Sequence, residues 1–186
     1  MPLLQEQNIF MAKLIALNKP FGVICQFSGD NNTLSNYVDI PNVYPAGRLD
    51  KDSEGLVILT DNGKLQNLIS NPKYNKTKTY VVQVEGELSA IAASALEKGI
   101  KLKDGNTKPA IVKIIEEPNW LWARTPPIRV RKNIPTSWIE ISISEGKNRQ
   151  IRRMTASVGF PTLRLIRTKI DKWHLGDITS GSYVTL

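Results

Sequence analysis

The sequence predicts an α+β protein, and three observations carry that prediction. Short apolar runs of strand type alternate with segments of helical composition. Glycine, proline and carboxylate-rich turns separate them. The order of these elements allows two α+β halves around one sheet, with no internal repeat, low-complexity tract or convincing linker to suggest independent modules.

Taken in order, Leu14 to Leu17 and Val23 to Phe27 read as short strands flanking a Lys19-Pro20-Phe21-Gly22 turn. Pro45 and Gly47 mark a break, Asp50 to Gly55 is turn chemistry, and Leu56 to Leu59 is an unbroken apolar strand. Gly63 to Ile69 has the spacing of one amphipathic helix. Tyr80 to Val84 is rich in β-branched residues, Leu88 to Lys98 is helical in composition and ended by Gly99, and Ala110 to Ile115 is a second β-like run. Pro118 to Pro135 holds four prolines, four basic residues and no carboxylate, with Trp120 and Trp122 inside it, and is too long for an ordinary connection. Trp138 to Ile143 alternates apolar and polar as a half-buried strand does, and Gln150 to Val158 reads as a helix closed by Gly159.

Composition narrows the function classes. The 186 residues are 41% hydrophobic, enough for a sizeable core, and no apolar stretch approaches membrane-spanning length. Polar residues Gln5 to Asn8 interrupt the apolar start, so no signal peptide is expected. The single cysteine, Cys25, excludes an internal disulfide, fits a cytoplasmic protein and sits in an apolar run as a small hydrophobe. The single histidine, His174, excludes multi-His metal sites and reads as structural or surface. Net charge is +8, but residues 121 to 170 hold 11 Lys/Arg against 2 Asp/Glu while the remainder holds 14 against 15. A one-sign block of that kind favours a polyanion, with nucleic acid ahead of a membrane.

The densest cluster of chemistry is Gly47-Arg48-Leu49-Asp50 followed by Ser53-Glu54-Gly55-Leu56, a carboxylate held at the entry to an apolar strand. Asp50, Asp52 and Glu54 imitate the spacing of a calcium loop, but such a loop needs a helix on each side, and here a strand follows. By itself Asp50 is also a fitting turn residue. The motif resembles the Arg-Leu-Asp signature of the pseudouridine synthases. Asn18-Lys19-Pro20-Phe21-Gly22-Val23, Lys78-Thr79-Tyr80 and Glu145-Gly146-Lys147-Asn148-Arg149-Gln150-Ile151-Arg152-Arg153-Met154 resemble further family motifs in the same order, and Phe160 to Arg167 extends the last. Within the family the chain is most similar to the small-subunit/large-subunit ribosomal RNA branch, and there to subgroup E, which acts on 23S rRNA. Trp120-Leu121-Trp122 and Pro126-Pro127-Ile128-Arg129 add to that likeness.

The resemblance implies a mixed, mainly antiparallel sheet with flanking helices and a central catalytic cleft over residues 14 to 186. Residues 1 to 13 are then a short extension, with no separate N-terminal RNA-binding module, and Met11 is an alternative start. It implies a monomer that converts a uridine in RNA to pseudouridine without cofactor or metal, with 23S rRNA as the expected partner. Asp50 corresponds to the catalytic aspartate, Arg152 to the arginine paired with it, and Tyr80 to the tyrosine stacked near the base. Ile151 corresponds to the aliphatic residue on the other side of that base. Arg48, Lys147, Arg149 and Arg153, and less directly Lys19, correspond to RNA contacts. Read without the resemblance, Tyr80 and Ile151 fit core positions and the basic residues fit a solvated face. Trp120 and Trp122 suit either core packing or stacking on unpaired bases. Two other functions compete: a non-catalytic RNA-binding ribosome-assembly protein, and the same reaction on small-subunit rRNA or tRNA. Asp50, Tyr80 and Arg152 together favour the enzyme, since binding RNA alone needs no carboxylate among cations.

Overall fold

A computed structural model describes residues 12–186, and the readings made for residues 1 to 10 and for Met11 lie outside it. The chain divides into two compact units. One comprises the described residues up to Lys76 together with His174–Leu186, and the other is Thr77–Trp173. In chain order the strands are β1 (Leu14–Lys19), β2 (Tyr44–Pro45), β3 (Glu54–Thr60), β4 (Lys78–Glu85), β5 (Lys101–Leu102), β6 (Gly105–Asn106), β7 (Ile111–Ile115), β8 (Thr136–Ile143), β9 (Thr162–Ile170), β10 (Trp173–His174) and β11 (Tyr183–Thr185). The helices are α1 (Gly63–Ser70), α2 (Ala90–Lys98) and α3 (Gln150–Ser157).

In the first unit β1 lies between β11 and β3, antiparallel to both, with Ile15 opposite Thr185 and Leu59, and Lys19 opposite Gly55. All seven residues of β3 are buried, which is why its apolar run is unbroken rather than alternating. That strand begins at Glu54, two residues earlier than its apolar run predicts, and Gly55 continues the ladder with β1 opposite Lys19. Asn62 starts α1, its side-chain oxygen accepting from Lys64 N and Leu65 N at 3.0 Å each. The strand expected over Val23 to Phe27 does not form. Ile24 makes an isolated bridge to Thr33, and Gln26 N turns back to Ile24 O, so Val23 and Cys25 are buried from a bent loop.

In the second unit β4 is central, antiparallel to β8 on one side and to β9 on the other, and β7 extends the sheet beyond β8. Val82 and Val84 of β4, Ile139, Ile141 and Ile143 of β8 and Leu165 of β9 form one core with Ala92 and Leu96 of α2 and Ile151 and Met154 of α3. Each fully buried aliphatic side chain of this kind contributes about 1.5–3 kcal/mol. Helix α2 begins two residues later than its composition predicts, because Ser89 caps it by accepting from Ala92 N at 3.1 Å. The nine-residue β9 is not among the predicted elements. Arg164, Arg167 and Lys169 interrupt its apolar pattern, yet the two arginines are themselves buried.

Helix α2 ends at Gly99, where φ is +104° and an added Cβ would lie 2.5 Å from the carbonyl oxygen of Thr107. Gly99→Ala should therefore lower stability by at least about 2 kcal/mol from strain and clash, whereas Gly63→Ala, with open space around its Cα, should raise it by up to about 1 kcal/mol. Urea denaturation of both variants checks the contrast; equal midpoints would contradict it.

Candidate active site

The expected site residues fall in both units. Asp50, Arg48 and Lys19 belong to the first; Tyr80, Lys147, Arg149, Ile151, Arg152 and Arg153 belong to the second.

Asp50 opens a turn in which its carbonyl accepts from Ser53 N at 3.0 Å. Leu49 before it is buried and β3 begins at Glu54, so the carboxylate is held between two anchored points. The next carbonyl, that of Lys51, accepts from Gly22 N at 2.8 Å and from Lys19 Nζ at 3.5 Å. Arg48 is exposed beside this turn.

Lys19 requires a correction. Its side chain is fully buried, and its ammonium donates to the carbonyls of Pro20 and Val23, both at 2.9 Å, as well as to Lys51. A burial this complete leaves no surface for a phosphate oxygen. Lys19 is instead a brace that ties the end of β1 to the turn carrying Asp50, supplying a donor to the carbonyls of Pro20 and Val23.

In the second unit Tyr80 is half-buried and packs against the core that contains Ile151. Ile151 is 4% exposed, consistent with a core position, and Arg152 follows it in the first turn of α3. The loop before α3 is built by its own motif. Gln150 accepts from Lys147 N at 3.0 Å and donates to Glu145 at 2.9 Å, while Glu145 also accepts from Lys108 N. Arg149 sits at the N-cap in the left-handed region, φ +48°, and is exposed. Arg153 is engaged by Asp104 through two contacts at 2.7 and 3.2 Å, and Lys147 Nζ reaches the Asp104 carbonyl at 3.4 Å.

Two cations escaped the residue-by-residue reading. Arg167 is the cross-strand partner of Tyr80, and Lys78 lies two residues before Tyr80 on β4, so strand alternation gives both the same face as the tyrosine. Burial, and then the Arg167 charge, push the Lys78 ammonium below the ordinary lysine range. The signal was present in Lys78-Thr79-Tyr80, since residues two apart on a strand share a face. Arg167 needed the β4–β9 register, which no local pattern supplies. Among the described residues no group of three or more His, Cys, Asp or Glu side chains is placed to hold a metal ion.

Comparison with known proteins places these residues in context. A family model described as RNA pseudouridylate synthase matches residues 13–157. The chain is similar to a protein named ribosomal large subunit pseudouridine synthase E of Xanthomonas campestris pv. campestris, with 49% identity over 91% of this chain and 93% of the relative. A protein of the same name from Vibrio parahaemolyticus is 50% identical over 92% of this chain and 72% of its own length. Among solved structures, one described as a crystal structure of pseudouridylate synthase superposes with a TM-score of 0.79 and 31% identity, covering 94% of this chain and 70% of that one.

Two outcomes test the geometry of the separate units. Lys19→Met should lower stability by about 2–3 kcal/mol, because buried carbonyls lose their donor, and should speed amide exchange at Gly22; a midpoint unchanged in urea would remove the bracing role. Asp104 should titrate below the ordinary carboxylate range because Arg153 hydrogen-bonds its charged form. A depressed carboxylate stabilises the fold above its unfolded pKa, so this contribution is present at neutral pH and lost as pH falls through the depressed value. In an NMR titration Arg153→Gln should raise the Asp104 pKa toward the ordinary value.

Proposed function

The chain belongs to the RNA pseudouridylate synthase family, and we propose that it isomerises one uridine of large-subunit (23S) ribosomal RNA to pseudouridine. The reaction breaks the N1 glycosidic bond, turns the base within the site and rejoins the sugar through C5. The C5 proton is lost and N1 gains one, so atoms balance without a cofactor. In this reading Asp50 is the carboxylate acting at the junction of sugar and base. Arg152 is the guanidinium that orients that carboxylate. Tyr80 and Ile151 hold the base. Arg48, Lys147 and Arg149 contact phosphate, with Arg153 available when Asp104 releases it, and Lys78 and Arg167 raise the positive potential beside Tyr80.

The observation that carries the reading is the anchoring of Asp50. A carboxylate fixed between buried Leu49 and the wholly buried β3, with the following carbonyl held from two sides, suits a reacting group better than a solvated turn residue. Large-subunit RNA as substrate is supported by the names of relatives sharing about half their residues with this chain over nine-tenths of its length. With ribosomal RNA as substrate, the place of action is the cytoplasm. The target uridine must leave its stack to reach the reacting groups, at a cost of about a few kcal/mol offset by phosphate contacts.

Incubating protein-free 23S rRNA, 16S rRNA and tRNA, all lacking the modification, with wild type and Asp50→Asn tests this directly. The expected result is a single new pseudouridine in 23S rRNA with wild type alone, and RNA affinity retained in the variant. Product formed by Asp50→Asn would remove the catalytic assignment. A site in 16S rRNA or tRNA would change the substrate, and no product from wild type would return the chain to the assembly-protein reading.

A further inference from the structure

Between β7 and β8 the chain runs from Glu116 to Pro135 without helix or strand, yet it is fixed at several points. The guanidinium of Arg164, only 6% exposed on β9, lies 5.6 Å from the ring centroid of Trp122 and donates through Nη2 to the Trp122 carbonyl at 2.9 Å. Arg131 pairs with Glu85 at the end of β4, and Pro135 O accepts from Gly86 N at 2.7 Å. Arg124 Nε donates to Pro126 O at 2.8 Å.

This frame presents Trp120. Its ring lies 6.0 Å from that of Trp122 at an interplanar angle of 39°, and the residue is 47% exposed. An indole half in water on a segment this well pinned is unusual, because Trp is highly buried on average. The chain around it carries Arg124, Arg129, Arg131 and Lys132 and no carboxylate from Pro118 to Pro135; Glu116 and Glu117 stop at its entry. Arg129 and Lys132 are exposed. An exposed aromatic ring on a segment whose charged side chains are all cations matches the chemistry of unpaired nucleotides, whose bases stack and whose phosphates need positive charge. The segment also exposes Val130 and Ile134, but every charged side chain from Pro118 to Pro135 is a cation, which favours RNA over a protein partner. Arg164 is the cross-strand partner of Gln83, and Tyr80 is that of Arg167. The three-residue offset places the Arg164–Trp122 anchor on the face of the sheet opposite Tyr80. It is thus separate from the residues expected to hold the target base.

We propose that Trp120, held by Trp122 and Arg164, is a stacking platform for an unpaired nucleotide of the substrate RNA outside the reacting site. It rests on the proposed function for the identity of that RNA, but not for the platform itself.

The test measures KM and kcat on protein-free 23S rRNA, together with direct binding of 23S rRNA and of a short oligouridylate. Trp120→Ala should weaken both binding measurements about 5- to 100-fold and raise KM in proportion, the loss falling in KM rather than kcat. Trp120→Phe should recover most of the affinity, because stacking needs a ring and not an indole. Ile91→Ala, an exposed apolar truncation on α2 in the same unit, should bind as wild type. Unchanged affinity in Trp120→Ala overturns the platform, as does failure of Trp120→Phe to recover it. A defect of Trp120→Ala confined to assembling particles, with naked RNA bound normally, also overturns it and assigns the ring to a protein partner. Should wild type bind RNA but form no pseudouridine, the binding arms still decide the platform while the proposed reaction fails.

Discussion

A buried ammonium organises the part of the chain that carries Asp50. Lys19 donates to the backbone carbonyls of Pro20 and Val23 in the bent loop after β1 and to that of Lys51 in the Asp50 turn. Desolvating a lysine is costly, and carbonyl dipoles offset that cost when several converge. The result is that β1, the bent loop and the Asp50 turn are tied to one another. Register adds to this, since Lys19 stands opposite Gly55 in the ladder while its side chain reaches back to Lys51.

Positive charge in this protein does two different kinds of work, and sequence position alone does not separate them. Lys19, Arg164 and Arg167 are basic residues within or beside family-like motifs, yet all three are at most 6% exposed. Arg48, Arg149, Arg129 and Lys132 are exposed. The first set shapes backbone and aromatic rings from inside, whereas the second can exchange counterions for phosphate. Arg153 stands between them, on the surface but engaged by Asp104. Counting cations in residues 121 to 170 therefore identifies the polyanion correctly as a class, but it overstates how many charges face it.

Most of the fold was legible because its strands obey period two or form unbroken apolar runs, and its helices carry their own stops. Gly99 and Gly159 ended α2 and α3 where left-handed backbone is required. The misreadings have physical causes. Val23 to Phe27 has the composition of a strand, but Gly22 and the return of Gln26 to Ile24 divert it into a loop. Strand β9 looked like a polar motif because its arginines are buried, which no hydropathy pattern anticipates. Asp50, Tyr80 and Ile151 were found through motif resemblance rather than periodicity. Lys78 was legible from its place two residues before Tyr80, whereas Arg167 became so only once the β4–β9 register put it opposite Tyr80.

The path of the chain through its two units carries a consequence for synthesis. Thr77–Trp173 is contiguous, so every strand and helix of that unit emerges from the ribosome in one stretch and can pack while translation continues. The other unit is assembled from two stretches, and β1 receives its outer neighbour only when β11 arrives. Until then β1 presents an open row of backbone donors and acceptors, the feature most prone to pairing with the wrong partner. For a nascent polypeptide the vulnerable interval is thus the time spent translating the whole of Thr77–Trp173, and the early folding of that intervening unit brings the two halves of the other within reach of each other.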